Sequence, residues 1–354
     1  MKALVLAGGL GSRLRPFSHS MPKQLMPIAN KPVLAHVMED LRDLGVRDVG
    51  VVVGDRGQEI ARALGDGSSL GVRLTYVHQD LPRGLAHCIA ISRDFLGDDD
   101  FVMYLGDNLL TEGVKDIADE FRALRPAAQV VVHPVPDPRA FGVAEVGDDG
   151  RVLRLVEKPR TPRSDLAVIG VYFFTPAIHE AVAAIGPSAR GELEVTDAIQ
   201  WLVARGDDVR ASTYHGFWKD TGKVEDVLHC NRELLDGLKP AVAGDVDGTS
   251  ELVGAVVVEE GARIVRSRIT GPVIVGAGSV VEDSHIGPYT AIGRDCVLAA
   301  AGMEDSIMLD GARIHSVGGV HGSVIGRDAT VSSQARTNRS RIVVGDHSSV
   351  VVAA

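Results

Sequence analysis

Short apolar runs alternate with helical periodicities through the first two thirds of the chain. Residues 3–7 (ALVLA) predict a strand that leads straight into glycines. Residues 33–44 place apolar side chains at Val33, Leu34, Val37, Met38, Leu41 and Leu44. That is the spacing of one helix face, and Gly45 stands just past its end. The valine-rich residues 49–53 predict a strand buried on both faces. A helix over 58–64, a strand over 73–77, a helix over 85–95 and a strand over 101–105 follow, the last ending at Gly106-Asp107. Repeated strand–helix–strand units predict an α/β domain with a Rossmann-like, mainly parallel sheet. Ligands of such sheets sit beyond the carboxyl ends of strands, where Gly8 and Asp107 both lie.

The pattern changes near residue 239. Residues 239–250 (KPAVAGDVDGTS) are polar and predict a linker. Beyond them Ile274, Val280, Ile286, Ile292 and Leu298 recur six apart, with Gly276, Gly287 and Gly293 in the same stretch. A six-residue aliphatic period predicts a left-handed parallel β-helix, one inward side chain filling each side of a triangular coil. The phase falters around residues 303–306 and resumes at Val324, Ile325 and Val331. The expected organisation is therefore an α/β domain over 1–238, a linker over 239–250 and a β-helix over 251–354.

Composition narrows the function classes. The 354 residues are 45% apolar and 24% charged, the balance of a folded globular chain. A net charge of −10 argues against a general nucleic-acid binder but leaves room for a local phosphate site. Cys88, Cys230 and Cys296 are too few and too scattered for a disulfide framework or a metal motif. The N-terminal apolar run is too short for a signal peptide, and no stretch approaches the roughly 20 apolar residues of a membrane helix. The expectation is a cytoplasmic protein without nucleic-acid or membrane partners.

The candidate chemistry starts after the first strand, at Gly8-Gly9-Leu10-Gly11-Ser12-Arg13-Leu14-Arg15-Pro16. Glycines there let backbone N–H groups approach phosphate oxygens, while Arg13, Arg15 and Lys23 add fixed positive charge. No Gly-Lys-Ser/Thr closes the loop as in a P-loop, and Leu14 occupies the third glycine position of a dinucleotide fingerprint. Taken alone the segment also fits a flexible strand–helix turn. Likewise Asp107 and Asp220 fit turn or helix caps, and Glu157-Lys158 fits an exposed ion pair.

The whole string resembles the signature of the sugar-1-phosphate nucleotidylyltransferases. The resemblance continues in order through Gln79-Asp80-Leu81-Pro82-Arg83-Gly84, Leu105-Gly106-Asp107-Asn108, Phe141-Gly142-Val143, Glu157-Lys158-Pro159, residues 190–197 (RGELEVTD) and Trp218-Lys219-Asp220-Thr221-Gly222. With the appended β-helix, it is most similar to the long-form glucose-1-phosphate thymidylyltransferase branch. That resemblance implies condensation of dTTP with glucose 1-phosphate to dTDP-glucose and pyrophosphate, with Mg²⁺ as cofactor and a homo-oligomeric assembly. It gives Arg13 and Lys23 catalytic roles at the triphosphate. Gly8, Gly9, Gly11, Ser12, Arg13, Gln24, Gln79 and Gly84 would bind the nucleotide. Gly142, Glu157, Lys158, Val168 and Arg190 would bind the sugar phosphate, and Asp107 and Asp220 the metal. Glu192 and Glu194 precede a helical run, where negative charge is stabilising anyway, and are left out of the site. The alternatives are a UTP-dependent enzyme on the same sugar and a non-catalytic regulatory paralogue. The latter is disfavoured because Arg13, Lys23, Asp107 and Asp220 are all present.

Overall fold

The structure is a computed structural model that describes residues 1–333 and 342–352. By contacts the chain divides into two units, Met1–Gly9 with Leu34–Trp218 and Leu10–Val33 with Lys219–Ala354. The helices are α1 (Val33–Asp43), α2 (Gly57–Leu64), α3 (Leu85–Ile91), α4 (Arg93–Leu96), α5 (Lys115–Leu124), α6 (Ala177–Ala184), α7 (Val195–Arg205) and α8 (Val224–Asp236). Among the described residues, no helix is long and apolar enough to cross a membrane.

A nine-stranded sheet organises the first unit. Lys2–Leu6 pairs in parallel with Asp48–Val53 and Phe101–Leu105, and Asp48–Val53 with Arg73–His78. This is the parallel part foreseen from the strand–helix alternation. Ala3, Leu4, Val5, Val49, Val51 and Val52 are fully buried, as strands covered on both faces require. Later strands turn the sheet into a mixed one. Leu166–Phe174 runs antiparallel to Phe101–Leu105, Ala128–Pro134 and Gly142–Val146, and Val152–Glu157 forms a hairpin with Gly142–Val146. The hairpin connection is too short for a crossover, so antiparallel pairing is the available geometry.

The second unit holds the β-helix, with three stacks of parallel strands. Register places Val256 beside Val273, and Val273 beside Thr290, so a coil takes 17 residues. The inward positions are Val258, Ile264, Ile269, Val275, Val281, Ile286, Ile292, Leu298 and Met303. Two sides therefore advance by six residues and the third by five. The six-residue reading thus placed Ile274 and Val280 inward where Val275 and Val281 fill the core. The falter near Met303 falls in a shorter coil, where Ala291 pairs with Ile307 and Val297 with Arg313, each 16 residues on. Strands begin before residue 251, since Ala241–Val242 pairs with Val257 and Val258, and Asp245–Val246 with Arg263 and Ile264. The polar composition of residues 239–250 reflects exposed strand faces as well as turns.

A stack of serines closes the same corner in successive coils. Ser250 Oγ accepts from Ser267 N, Ser267 Oγ from Ser284 N, and Ser284 Oγ from Ala301 N, each at 3.0 Å. Buried backbone donors at the corners are satisfied this way. All three cysteines are buried and free.

Candidate active site

The glycine-rich loop leaves the first strand at the sheet's carboxyl edge, where Ala7 N donates to Val52 O. A Cβ on Gly8 would lie 3.3 Å from Gln79 Oε1, so the bare backbone lets that side chain close over the strand end. Gln79 is buried, and its Nε2 sits 3.1 Å from His87 Nδ1. Gly84, the residue before α3, has φ +100°, and a Cβ there would fall 2.4 Å from Leu193 O. Leu193 N donates to Arg83 O and Ala86 N to Leu193 O, so this glycine first serves a tight backbone crossing. Gln79 and Gly84 thus belong to one segment pinned at both ends.

In the second unit the rest of the loop folds into short 3₁₀ turns, Ser12–Leu14 and Lys23–Leu25 among them. Leu14, Phe17, Met26 and Ile28 are fully buried and anchor it, whereas Gly9, Ser12, Arg13 and Arg15 are exposed. Gly11 has φ +63°, and a Cβ on it would stand 2.8 Å from Lys23 Cβ. The loop therefore brings Lys23 against its own glycine turn. Gln24 is 1% exposed, and its Oε1 finds no hydrogen-bond partner among the described residues. A buried acceptor without a donor costs about 1–3 kcal/mol, and a ligand N–H would relieve it.

Arg13 Nη2 lies 3.5 Å from Asp220 Oδ2. A Cβ on Gly222 would come within 2.8 Å of the same nitrogen, so the glycine of Trp-Lys-Asp-Thr-Gly makes room for the guanidinium. Half-exposed pairs of this kind are worth roughly 0–1 kcal/mol, so a triphosphate could separate this one at little cost. Asp220 is not the cap of α8, whose N-cap is Lys223 with no side-chain cap bond. Asp107 belongs to the first unit. Its Oδ1 accepts from Asn108 Nδ2, and Trp218 Nε1 in turn donates to Asn108 Oδ1 at 2.7 Å. No group of three or more metal-ligating side chains occurs among the described residues.

The five residues expected on the sugar side converge. Glu157 ends its strand opposite Gly142, and a Cβ on Gly142 would lie 3.4 Å from Glu157 Oε2 and 3.8 Å from Val168 Cγ2. Glu157 Oε1 faces Arg190 Nη1 at 3.2 Å and Lys158 Nζ at 3.4 Å, and Thr196 Oγ1 donates to its Oε2. Lys158 holds φ +42°, which turns its chain direction at this point. Two participants escaped the sequence reading. Thr196 was quoted only within the motif at residues 190–197, and Glu194 was left out as a charge at a helix start. Glu194 is in fact 5% exposed, accepts from Ser188 Oγ and pairs with Arg190 at 3.4 Å. Burial raises its carboxyl pKa above the ordinary value, opposed by Ser188 and Arg190. Asp197 is raised as well, by burial and then by the charge of Glu157. The site thus presents clustered carboxylates held by two cations, an arrangement suited to hydroxyls and a phosphate together.

A parallel strand running into a glycine-rich loop, and a separate carboxylate–cation cluster, are arrangements suited to phosphorylated nucleotides and sugars. The chain belongs to the nucleotidyl transferase family, whose model matches residues 2–237. It is 54% identical, over 98% of both chains, to a glucose-1-phosphate thymidylyltransferase of Streptomyces griseus. It is 52% identical, over 99% of both, to the enzyme of that name from Streptomyces antibioticus. A UTP–glucose-1-phosphate uridylyltransferase of Haloferax volcanii, AglF, is 38% identical over 67% of this chain and 97% of its own. Among solved structures, a Bacillus anthracis protein described as a glucose-1-phosphate thymidylyltransferase superposes with a TM-score of 0.63. It shares 32% identity and covers 68% of this chain and 97% of its own.

Proposed function

We propose that the chain condenses dTTP with glucose 1-phosphate, giving dTDP-glucose and pyrophosphate. An oxygen of the sugar phosphate attacks the α-phosphorus, a new P–O bond forms, and the bond to the β-phosphate oxygen breaks as pyrophosphate leaves. Two anions must be held together, so the work of the protein is positioning and electrostatic. Arg13 leaves Asp220 to meet the departing pyrophosphate, and Lys23 holds the α-phosphate in line with the attacking oxygen. The N–H groups of Gly8, Gly9, Gly11 and Ser12 line the triphosphate. Gln79, Gln24 and the backbone of Gly84 read the base. The unpartnered Oε1 of Gln24 supports this, because thymine N3–H is a donor for it. Glu157 accepts from glucose hydroxyls, Lys158 and Arg190 meet the sugar phosphate, and Gly142 and Val168 shape the sugar pocket.

Asp107 and Asp220 are the proposed ligands of Mg²⁺. Their hard carboxylate oxygens fit a cation that takes one or two protein ligands and completes its shell with phosphates. Bound there, Mg²⁺ would neutralise charge on the phosphates. The functional division proposed is nucleotidyl transfer over 1–238, followed by the β-helix whose first strand is Ala241–Val242, in a homo-oligomer within the cytoplasm.

The observation that carries the substrate assignment is the near-complete match to two thymidylyltransferases, against a lower and partial match to the uridylyltransferase. The test incubates the protein with Mg²⁺, glucose 1-phosphate and each nucleoside triphosphate in turn, following pyrophosphate. Release is expected with dTTP foremost. Faster turnover with UTP overturns the thymidylyl assignment, and release with none overturns the enzyme reading.

A further inference from the structure

The loop Leu10–Val33 carries Arg13, Lys23 and Gln24, yet it contains no long helix or strand of its own. Its conformation must be imposed from outside, and the contacts that impose it lie in the β-helix and in α8. Asn231 of α8 is 1% exposed. Its Oδ1 accepts from Ala29 N at 3.0 Å, while its Nδ2 donates to Tyr289 O in a β-helix coil at 3.1 Å. Asn30 Nδ2 donates to Ile292 O, in the strand Thr290–Ile292, at 2.6 Å. On the other side of Lys23, Arg327 Nη2 donates to Ser20 O at 3.1 Å. That guanidinium is itself fixed by Asp346, a carboxylate whose side chain is 1% exposed, at 2.9 Å. Ala29 and Asn30 both hold positive φ, at 49° and 61°. The turn they make is sterically unfavourable and persists where its surroundings hold it.

We propose that the β-helix is the positioning support of the triphosphate-binding loop, acting through Asn30, Asn231 and Arg327. It is not merely an appended assembly module. Lys23 lies between the tether at Ser20 and those at Ala29 and Asn30, so the loop is fixed on both sides of the residue that must meet the α-phosphate. A displacement of about 1 Å at such a group can cost on the order of 10²-fold in rate. The three residues touch no substrate and are positioning residues. The inference rests on the reading of this loop as the triphosphate site.

Two variants test it in the full-length protein. Asn30→Gly removes one side-chain bond while keeping the positive φ accessible. Asn231→Asp keeps the acceptor for Ala29 but loses the donor to Tyr289. Each is expected to lower kcat/KM for dTTP about tenfold, with KM for glucose 1-phosphate within about twofold and Tm within a few degrees. Amide hydrogen exchange should speed up at Leu25 and Met26, whose N–H groups close the turn at Lys23. Wild-type kinetics and unchanged exchange in both variants overturn the proposal. An equal rise of both KM values also overturns it, because the effect is then a general loss of structure. If wild-type protein itself turns over no triphosphate, the functional reading fails. The exchange measurement then decides the tether by itself: unchanged protection overturns it.

Discussion

Gly11 shows how closely the loop is built around its cations. Its φ of +63° suits glycine, and a Cβ would press on Lys23 Cβ at 2.8 Å, a non-rotatable atom that cannot swing aside. Gly11→Ala therefore strains the turn and pushes Lys23 outward. We expect kcat/KM for dTTP to fall by 10-fold or more, at a stability cost of about 1–2 kcal/mol. Lys23→Ala should lose about 10²–10³ in rate with little change in Tm. Steady-state kinetics beside thermal melts check both, and a fully active Lys23→Ala protein would refute the role given to the loop. At this scale the residue types that pointed to chemistry do meet partners in the structure, Arg13 facing Asp220 and Glu157 facing Arg190 and Lys158. The sequence was least legible at Gly84, because no local pattern announces the crossing with Leu193. Glu194 does stand at the start of α7, as its N-cap, but more was needed to foresee its surroundings. Its burial and its pairing with Arg190 depend on how residues 188–194 fold back, which a helix-start rule does not encode.

Element scale brings out a different limit. Strand and helix identity followed from hydrophobic spacing, including the strands Lys2–Leu6 and Phe101–Leu105 that lead into Gly8 and Asp107. Phase did not follow as well, because a 17-residue coil mimics a six-residue repeat over two sides and then slips. The predicted helix over 85–95 is likewise split at Ser92 into α3 and α4. Helix α1 carries a further consequence that periodicity misses. Tyr104 OH donates to Asp40 Oδ2 at 3.0 Å. Burial pushes the Asp40 carboxyl up to about 7, opposed by that hydrogen bond and helped by the charges of Asp43 and Glu39. Unfolded, the same group titrates near 4. Between those values the folded state binds more protons. Stability from this group is thus complete below about pH 4 and lost as pH rises through 7. Asp40→Asn should be more stable than wild type at pH 8, by about 1–2 kcal/mol, and should lose part of the pH dependence between 4 and 7. Urea unfolding across that range checks it, and parallel stability curves for the two proteins would sink it.

For the whole molecule, chain order and contact order disagree. The sequence suggests a catalytic stretch followed by an appendage, yet Leu10–Val33 groups by contacts with everything after Trp218. Arg13, Lys23, Gln24 and Asp220, proposed for the nucleotide and the metal, fall in that unit, while Gly142, Glu157, Lys158 and Arg190, proposed for the sugar phosphate, fall in the other. A chain ended at residue 238 keeps every element of the nine-stranded sheet and the whole sugar-side cluster. It loses Tyr289, Ile292 and Arg327, the partners that hold Asn231, Asn30 and Ser20. The two half-sites should then respond differently. Glucose 1-phosphate is expected to bind the truncated chain within about threefold of the full-length affinity. The turnover efficiency for dTTP should drop by roughly 10² or more, the scale of a misplaced phosphate-binding group. Calorimetric titration with the sugar phosphate and initial rates in dTTP separate the two. Loss of sugar-phosphate binding in a truncated chain that still melts cooperatively would show that the β-helix supports both half-sites. Retention of full turnover would show that the loop needs no support from it.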